Sequence, residues 1–179
     1  MNIVTVINLL KQEDNGAFRH LVSVYSGRLM AVAKLYTRNH ADAQDVLQEG
    51  LIVVFEKVHQ FEGDEEKAFY GWMKKIVVNL ALNKYRRKRS SMETLNIDDQ
   101  YDIAQEPEVY KSFANQDLLS AMYQLPHKYK QVIGLVAIEG YNHREVSDML
   151  GMKESTSRSI YSRAKKMLLK IILKSEKVA

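Results

Sequence analysis

Residues 140–171 read GYNHREVSDMLGMKESTSRSIYSRAKKMLLKI, and the reading of this stretch decides the fold. Two segments of helical pattern flank Gly151. Val146 and Leu150 are spaced four apart in the first. In the second, Ile160, Ala164, Leu168 and Ile171 recur at steps of three and four, which predicts one buried helix face. Yet five of the nine residues 154–162 are serine or threonine. Their hydroxyls compete for the backbone, so helix stability alone does not select them. A short helix, a glycine turn and a second helix with apolar residues at fixed offsets make a helix-turn-helix. Counted from His143, the apolar positions are Val146, Leu150 and Met152, Gly151 takes the turn, and Ser147 is small enough for the helix crossing. Ser157 stands where a β-branched apolar residue is usual, which predicts looser packing there.

With Ser157, Ile160, Ala164 and Leu168 turned inward, Ser155, Arg158, Ser159, Ser162 and Lys166 form the outward stripe, and Arg163 flanks it. Short hydroxyls let the backbone approach a DNA groove closely, and arginine reads guanine through O6 and N7. A solvated amphipathic helix with ordinary surface polarity is the alternative reading of the same stripe.

The remainder of the chain fits the same class. Eight glycines and two prolines in 179 residues argue for helices rather than a multi-turn β architecture. Helices are expected over residues 3–13, with Val4, Ile7, Leu10 and Lys11 in register, and over 17–38. Another is expected over 41–61, capped by Asn39 or His40, with Val46, Leu47, Ile52 or Val53, and Phe55 inward. A fourth, 65–89, opens with acidic residues and closes with basic ones, as the helix dipole prefers. Residues 90–110 lack helical periodicity and carry six acids, so they read as an extended linker. Beyond it come 112–124, a helix opened by Pro126 and closed by Gly140, then 143–150 and 154–172. The expected fold is all-α: two small helical domains, 1–90 and 112–179, joined by an acidic flexible linker over 91–111, with the helix-turn-helix in the second.

Charge follows the same division. Residues 1–92 sum to +4, 93–110 to −6 and 111–179 to +6, so two basic blocks flank an acidic strip, as expected for surfaces aimed at a polyanion. With no cysteine, neither disulfides nor thiolate metal sites arise, and the five histidines form no i,i+4 pair. No nucleophile–base pair or phosphate loop is visible, so neither an enzyme nor a cofactor is expected. The start of the chain lacks a basic leader, and no apolar run approaches the roughly 18 residues of a membrane helix, so a cytoplasmic protein is expected.

One further stretch carries a pattern. Residues 84–89 hold five basic side chains, and upstream lie Phe69, Tyr70, Trp72, Lys74, Lys75, Asn79 and Asn83. Rings for stacking interleaved with cations and amides suit single-stranded nucleic acid. Phe69 and Trp72 read equally well as core. Helical spacing puts Trp72, Ile76, Asn79 and Asn83 on one stripe.

These segments together resemble bacterial RNA polymerase sigma factors of the extracytoplasmic-function group. DAQDVLQEGLIVVFEKVHQF is similar to the family's core-binding helix, FYGWMKKIVVNLALNKYRRKR to its promoter-melting and −10-reading segment, and LPHKYKQVIGLVAIEGYNHREVSDMLGMKESTSRSIYSRAKKML to its −35-reading domain. The resemblance implies that Asp45, Gln48 and Glu49 dock on the β′ clamp of core polymerase, with Asp42 flanking them. It implies that Trp72, Lys75, Asn79, Asn83, Arg86 and Arg87 meet the −10 element. Ser155, Arg158, Ser159, Ser162, Arg163 and Lys166 would then read the −35 element. Trp72-Met73 replaces the two adjacent tryptophans of larger members, which implies a weaker melting wedge. Ser157 and Ile160 stand where the family often has valine and arginine. The implied partners are core polymerase, through its β′ and β subunits, promoter DNA, and an anti-sigma factor of the membrane-anchored kind. A stand-alone helix-turn-helix regulator is the alternative.

Overall fold

The structure, a computed structural model, describes residues 2–92 and 116–176. The expected linker, apart from residues 91 and 92, lies outside the described residues, as do residues 112–115 of the helix expected over 112–124. Among the described residues there is no strand. The chain forms two compact units, Met1–Lys84 and Tyr85–Ala179.

Short polar side chains start the first three helices. Asn2 caps α1 (Ile3–Lys11), Asp14 caps α2 (Asn15–Tyr36) and Asn39 caps α3 (His40–Lys57), each accepting a backbone N–H of the first turn at 3.2, 2.7 and 2.8 Å respectively. The helix expected over 41–61 stops being α-helical at Lys57 and closes with a tighter 3₁₀ turn, Val58–Gln60. The long α4 (Glu66–Met92) follows.

Two buried faces differ from expectation. On α1, Val4 is 39% exposed, whereas Val6, Ile7 and Leu10 are buried. Val4–Ile7 and Val6–Leu10 both satisfy helical spacing, so periodicity could not choose between them. On α3, Ile52 is 55% exposed and Val53 and Phe55 are only half-buried, while Val46, Leu47, Gly50, Leu51 and Val54 face inward. The run LIVVF is apolar all round, so its pattern has no phase. Gly50 lies on the buried face, where a Cβ would lie 3.0 Å from Val77 Cγ2 on α4. That absence of a side chain lets the two helices cross closely.

Between α2 and α4 sits a polar aromatic cluster. The buried Tyr25 hydroxyl donates to Glu66 Oε1 at 3.2 Å, and the Arg28 guanidinium lies 3.9 Å from the centroid of the Tyr70 ring. Burial, reinforced by the Glu66 charge and hydrogen bond and partly opposed by Arg28, pushes the Tyr25 phenol up to about 12. The folded state therefore keeps this proton where the unfolded chain, titrating near 10, has lost it. Stability from this group is present below pH 10 and lost as pH rises toward 12. Thermal melts across that window should show a steeper decline for the wild type than for Tyr25→Phe.

The second unit contains α5 (Gln116–Tyr123), α6 (His127–Ile133), α7 (His143–Leu150) and α8 (Glu154–Glu176). Pro126 caps α6 as expected, but the helix does not run to Gly140 with one pitch. It widens into a π-helical segment, Gly134–Ile138, whose following residue Glu139 donates back to the Gly134 carbonyl at 3.0 Å. Gly140, at φ 79°, then turns the chain toward α7.

Candidate nucleic-acid interface and docking surface

The helix-turn-helix forms as its spacing predicts. Asn142 and Glu145 make a reciprocal capping box at the start of α7, with bonds of 3.0 and 2.8 Å. Gly151 takes the left-handed conformation, φ 62° and ψ 45°, and Met152 N–H returns to the Ser147 carbonyl at 3.0 Å. Ser147 is buried at the crossing and its hydroxyl donates to the Arg144 carbonyl at 2.7 Å.

Ser157, Ile160 and Ala164 of α8 are buried, whereas Ser155, Arg158, Ser159, Ser162, Arg163 and Lys166 are all exposed. Arg158 donates through Nε (3.1 Å) and Nη2 to Glu154 Oε1 one turn earlier. The Ser159 hydroxyl donates to the Thr156 carbonyl at 2.9 Å, so toward solvent it offers acceptor lone pairs. The looser packing expected at Ser157 is absent. Its side chain is fully buried and its Oγ lies 2.9 Å from Nδ1 of His143, whose ring stands edge-on to Tyr161 at 5.4 Å. A hydrogen bond takes the place of the β-branched contact. Ile160, 8% exposed, belongs to the core.

Along α4, Lys75, Asn79, Asn83, Arg86 and Arg87 are exposed and Trp72 and Ile76 are half-buried. The two rings that the sequence left open have separate places. Phe69 is fully buried, while Trp72 stacks on it at 5.8 Å and 21° and keeps part of its own surface in solvent. Met73 is fully buried, so the second position of the aromatic pair faces the core.

On α3, Asp45, Gln48 and Glu49 are exposed on one face, while Asp42 is buried at 7%. A residue that sequence reasoning counted only in the basic run ties this face to α4. Lys84 Nζ lies 2.7 Å from Asp45 Oδ2 and 3.3 Å from Asp42 Oδ1. Burial works against its ammonium, but the hydrogen bonds to Asp45 and Asp42 and their charges outweigh it, and the Lys84 pKa is raised. Lys84→Met removes this cation from a buried carboxylate and is expected to destabilise the first unit by about 1–3 kcal/mol, with Lys84→Arg retaining most of it. Chemical denaturation of the three proteins measures this.

Residues 21–91 match the family model described as Sigma-70 region 2, and residues 115–168 match Sigma-70, region 4. The chain belongs to the sigma-70 family, in its extracytoplasmic-function group. Two family regions in this order set aside the stand-alone regulator: the chain is a promoter-recognising sigma factor. It is 33% identical over 153 residues to the ECF RNA polymerase sigma factor SigE of Mycolicibacterium smegmatis, an alignment covering 83% of this chain and 58% of that protein. With the ECF RNA polymerase sigma-E factor of Haemophilus influenzae it shares 27% identity over 175 residues, covering 91% of each. Its fold is similar to that of the sigma factor RpoE of Bartonella quintana, solved in complex with the anti-sigma factor NepR, with a TM-score of 0.54, 22% identity, and coverage of 87% of this chain and 96% of that one. The region 2 match takes in the α3 face and α4 of this sigma factor, and the region 4 match takes in the helix-turn-helix; α1 lies outside both. No helix among its described residues is long and apolar enough to cross a membrane.

Proposed function

We propose that this sigma factor docks on core RNA polymerase through Asp45, Gln48 and Glu49 of α3, meets the −10 element with α4, and reads the −35 element with α8. The observation that carries the reading is the register of α8: six polar and basic side chains exposed on one side, with Ser157, Ile160 and Ala164 buried on the other. A helix so presented after a glycine turn enters a major groove with its outer stripe against base edges. On α4, Trp72 supplies a ring for stacking an unpaired base, Asn79 and Asn83 supply amide donors and acceptors, and Lys75, Arg86 and Arg87 hold phosphates. The acidic face of α3 complements a basic partner.

On this reading the protein performs no chemistry itself. The polymerase catalyses, and the sigma factor selects the place. Each DNA-binding surface is weak alone, and joining them on one polymerase turns the second contact into an intramolecular one. Regions 2 and 4 are assigned to 1–90 and 112–179 with the acidic linker over 91–111, and the working compartment is the cytoplasm. An anti-sigma factor, the kind of partner bound to the Bartonella sigma factor, is the proposed restraint. Transcription in vitro with core polymerase on a genomic library tests the whole reading. Start sites sharing −10 and −35 sequences, dependent on both proteins, are expected; a specific DNA footprint from the purified chain without core would overturn it.

A further inference from the structure

We propose that Lys11 of α1 is a positioning residue for Trp72, so that the first helix braces the face on which α4 stacks an unpaired base. The inference rests on the reading of Trp72 as that stacking ring.

α1 packs on α2 and on the turn Val58–Gln60. Its last residue reaches 50 positions along the chain: Lys11 Nζ donates to the Phe61 carbonyl oxygen at 2.9 Å. Carbonyls at the end of a helical turn lack an internal partner, and a charged donor satisfies one more strongly than a neutral group does. Phe61 is 6% exposed, and its ring lies 5.1 Å from Phe69 and 5.5 Å from Trp72. Gly63, at φ 146°, closes over the same ring so tightly that a Cβ there would lie 3.1 Å from Cζ. The Phe61 ring is thus confined by two aromatic rings and a glycine, while its backbone is fixed by a cation. Trp72 rests against Phe61 and Phe69, so a shift of Phe61 removes one of its two ring supports. Phe69 is anchored in the core of α4. Phe61 lies in the connection between the 3₁₀ turn and α4, where its N–H donates to the Val58 carbonyl at 3.1 Å and Lys11 holds its carbonyl from α1.

The sequence contains one tryptophan, so its emission reports on this ring when the chain is alone in solution. Lys11→Met is expected to raise acrylamide quenching of Trp72 and shift its emission to the red. It should weaken binding of the sigma–core complex to a labelled single-stranded oligonucleotide carrying the non-template −10 region of a mapped promoter by about fivefold, part of the stacking of one base. Affinity for core polymerase should not change, and Lys11→Arg should restore both signals. Gly63→Ala, which sets a Cβ 3.1 Å from the Phe61 Cζ at a backbone φ of 146° that side chains rarely adopt, is the second variant and should displace the ring and give the same signature. In a Trp72→Ala background, Lys11→Met should weaken the oligonucleotide no further. Wild-type emission and affinity in Lys11→Met, an equal fall in core affinity, or an undiminished Lys11 effect in the Trp72→Ala background would each overturn the proposal while leaving the stacking role of Trp72 standing. If Trp72→Ala alone leaves oligonucleotide binding unchanged, the stacking role fails and the positioning role fails with it.

Discussion

Phe69→Ala is expected to cost the first unit about 3–5 kcal/mol, a large part of what holds a small domain folded. Phe69 is fully buried and is the ring on which the others meet: Phe61 at 5.1 Å, Trp72 at 5.8 Å and Tyr25 edge-on at 6.5 Å. Removing it opens a cavity that rigid aromatic neighbours cannot collapse to fill, which places the cost at the upper end for core truncations. Urea unfolding followed by Trp72 emission measures this directly, since that ring lies against the cavity. Phe69→Leu, which keeps most of the volume, should cost less than half as much. An alanine variant as stable as the wild type would show that Phe69 is not the centre of this cluster.

Arg158→Ala combined with Arg163→Ala is expected to lower −35-dependent initiation by about one to two orders of magnitude, with core binding intact. A bidentate arginine contact to a base contributes about 1–3 kcal/mol of discrimination, and the stripe on α8 has two arginines to lose. Arg158 is already paired with Glu154, but an exposed i,i+4 pair is worth only about 0.3–0.5 kcal/mol, so DNA can take the guanidinium at little cost. Glu154→Gln is the control and should change initiation by less than about twofold. Transcription in vitro on paired templates, with and without the −35 element, separates the effects. Equal loss on both templates, or none on either, would remove α8 from the recognition role.

What the sequence disclosed, and what it withheld, divides along physical lines. The faces of α8 were legible because polar and apolar residues alternate there with one clear helical phase, and the glycine turn before it fixed the motif. The phase of α3 was misjudged within LIVVF, which is apolar in every direction: steps of four from Val46 and Leu47 lead to Gly50, Leu51 and Val54, but a glycine does not display a buried face. Asn142 and Glu145 carried a readable capping pattern that spacing alone would have found. Lys84 and Lys11 could not be found in this way. Sequence displays a lysine's charge, but not the carboxylates of α3 or the Phe61 carbonyl that packing brings to it. The same limit made Ser157 look like a packing defect, since its partner lies on another helix, 14 residues away.

That buried serine also constrains how such a chain can change over generations. Phenylalanine at 143 alone would strand the fully buried Ser157 hydroxyl in an apolar seam, and valine at 157 alone would take the bond from a half-buried imidazole. Leaving the buried hydroxyl alone costs about 1–3 kcal/mol and leaving the half-buried imidazole alone costs less, while the two changes together would restore a dry joint. Histidine and serine are therefore expected to act as a couple: exchanging both should cost less than the sum of the two single exchanges.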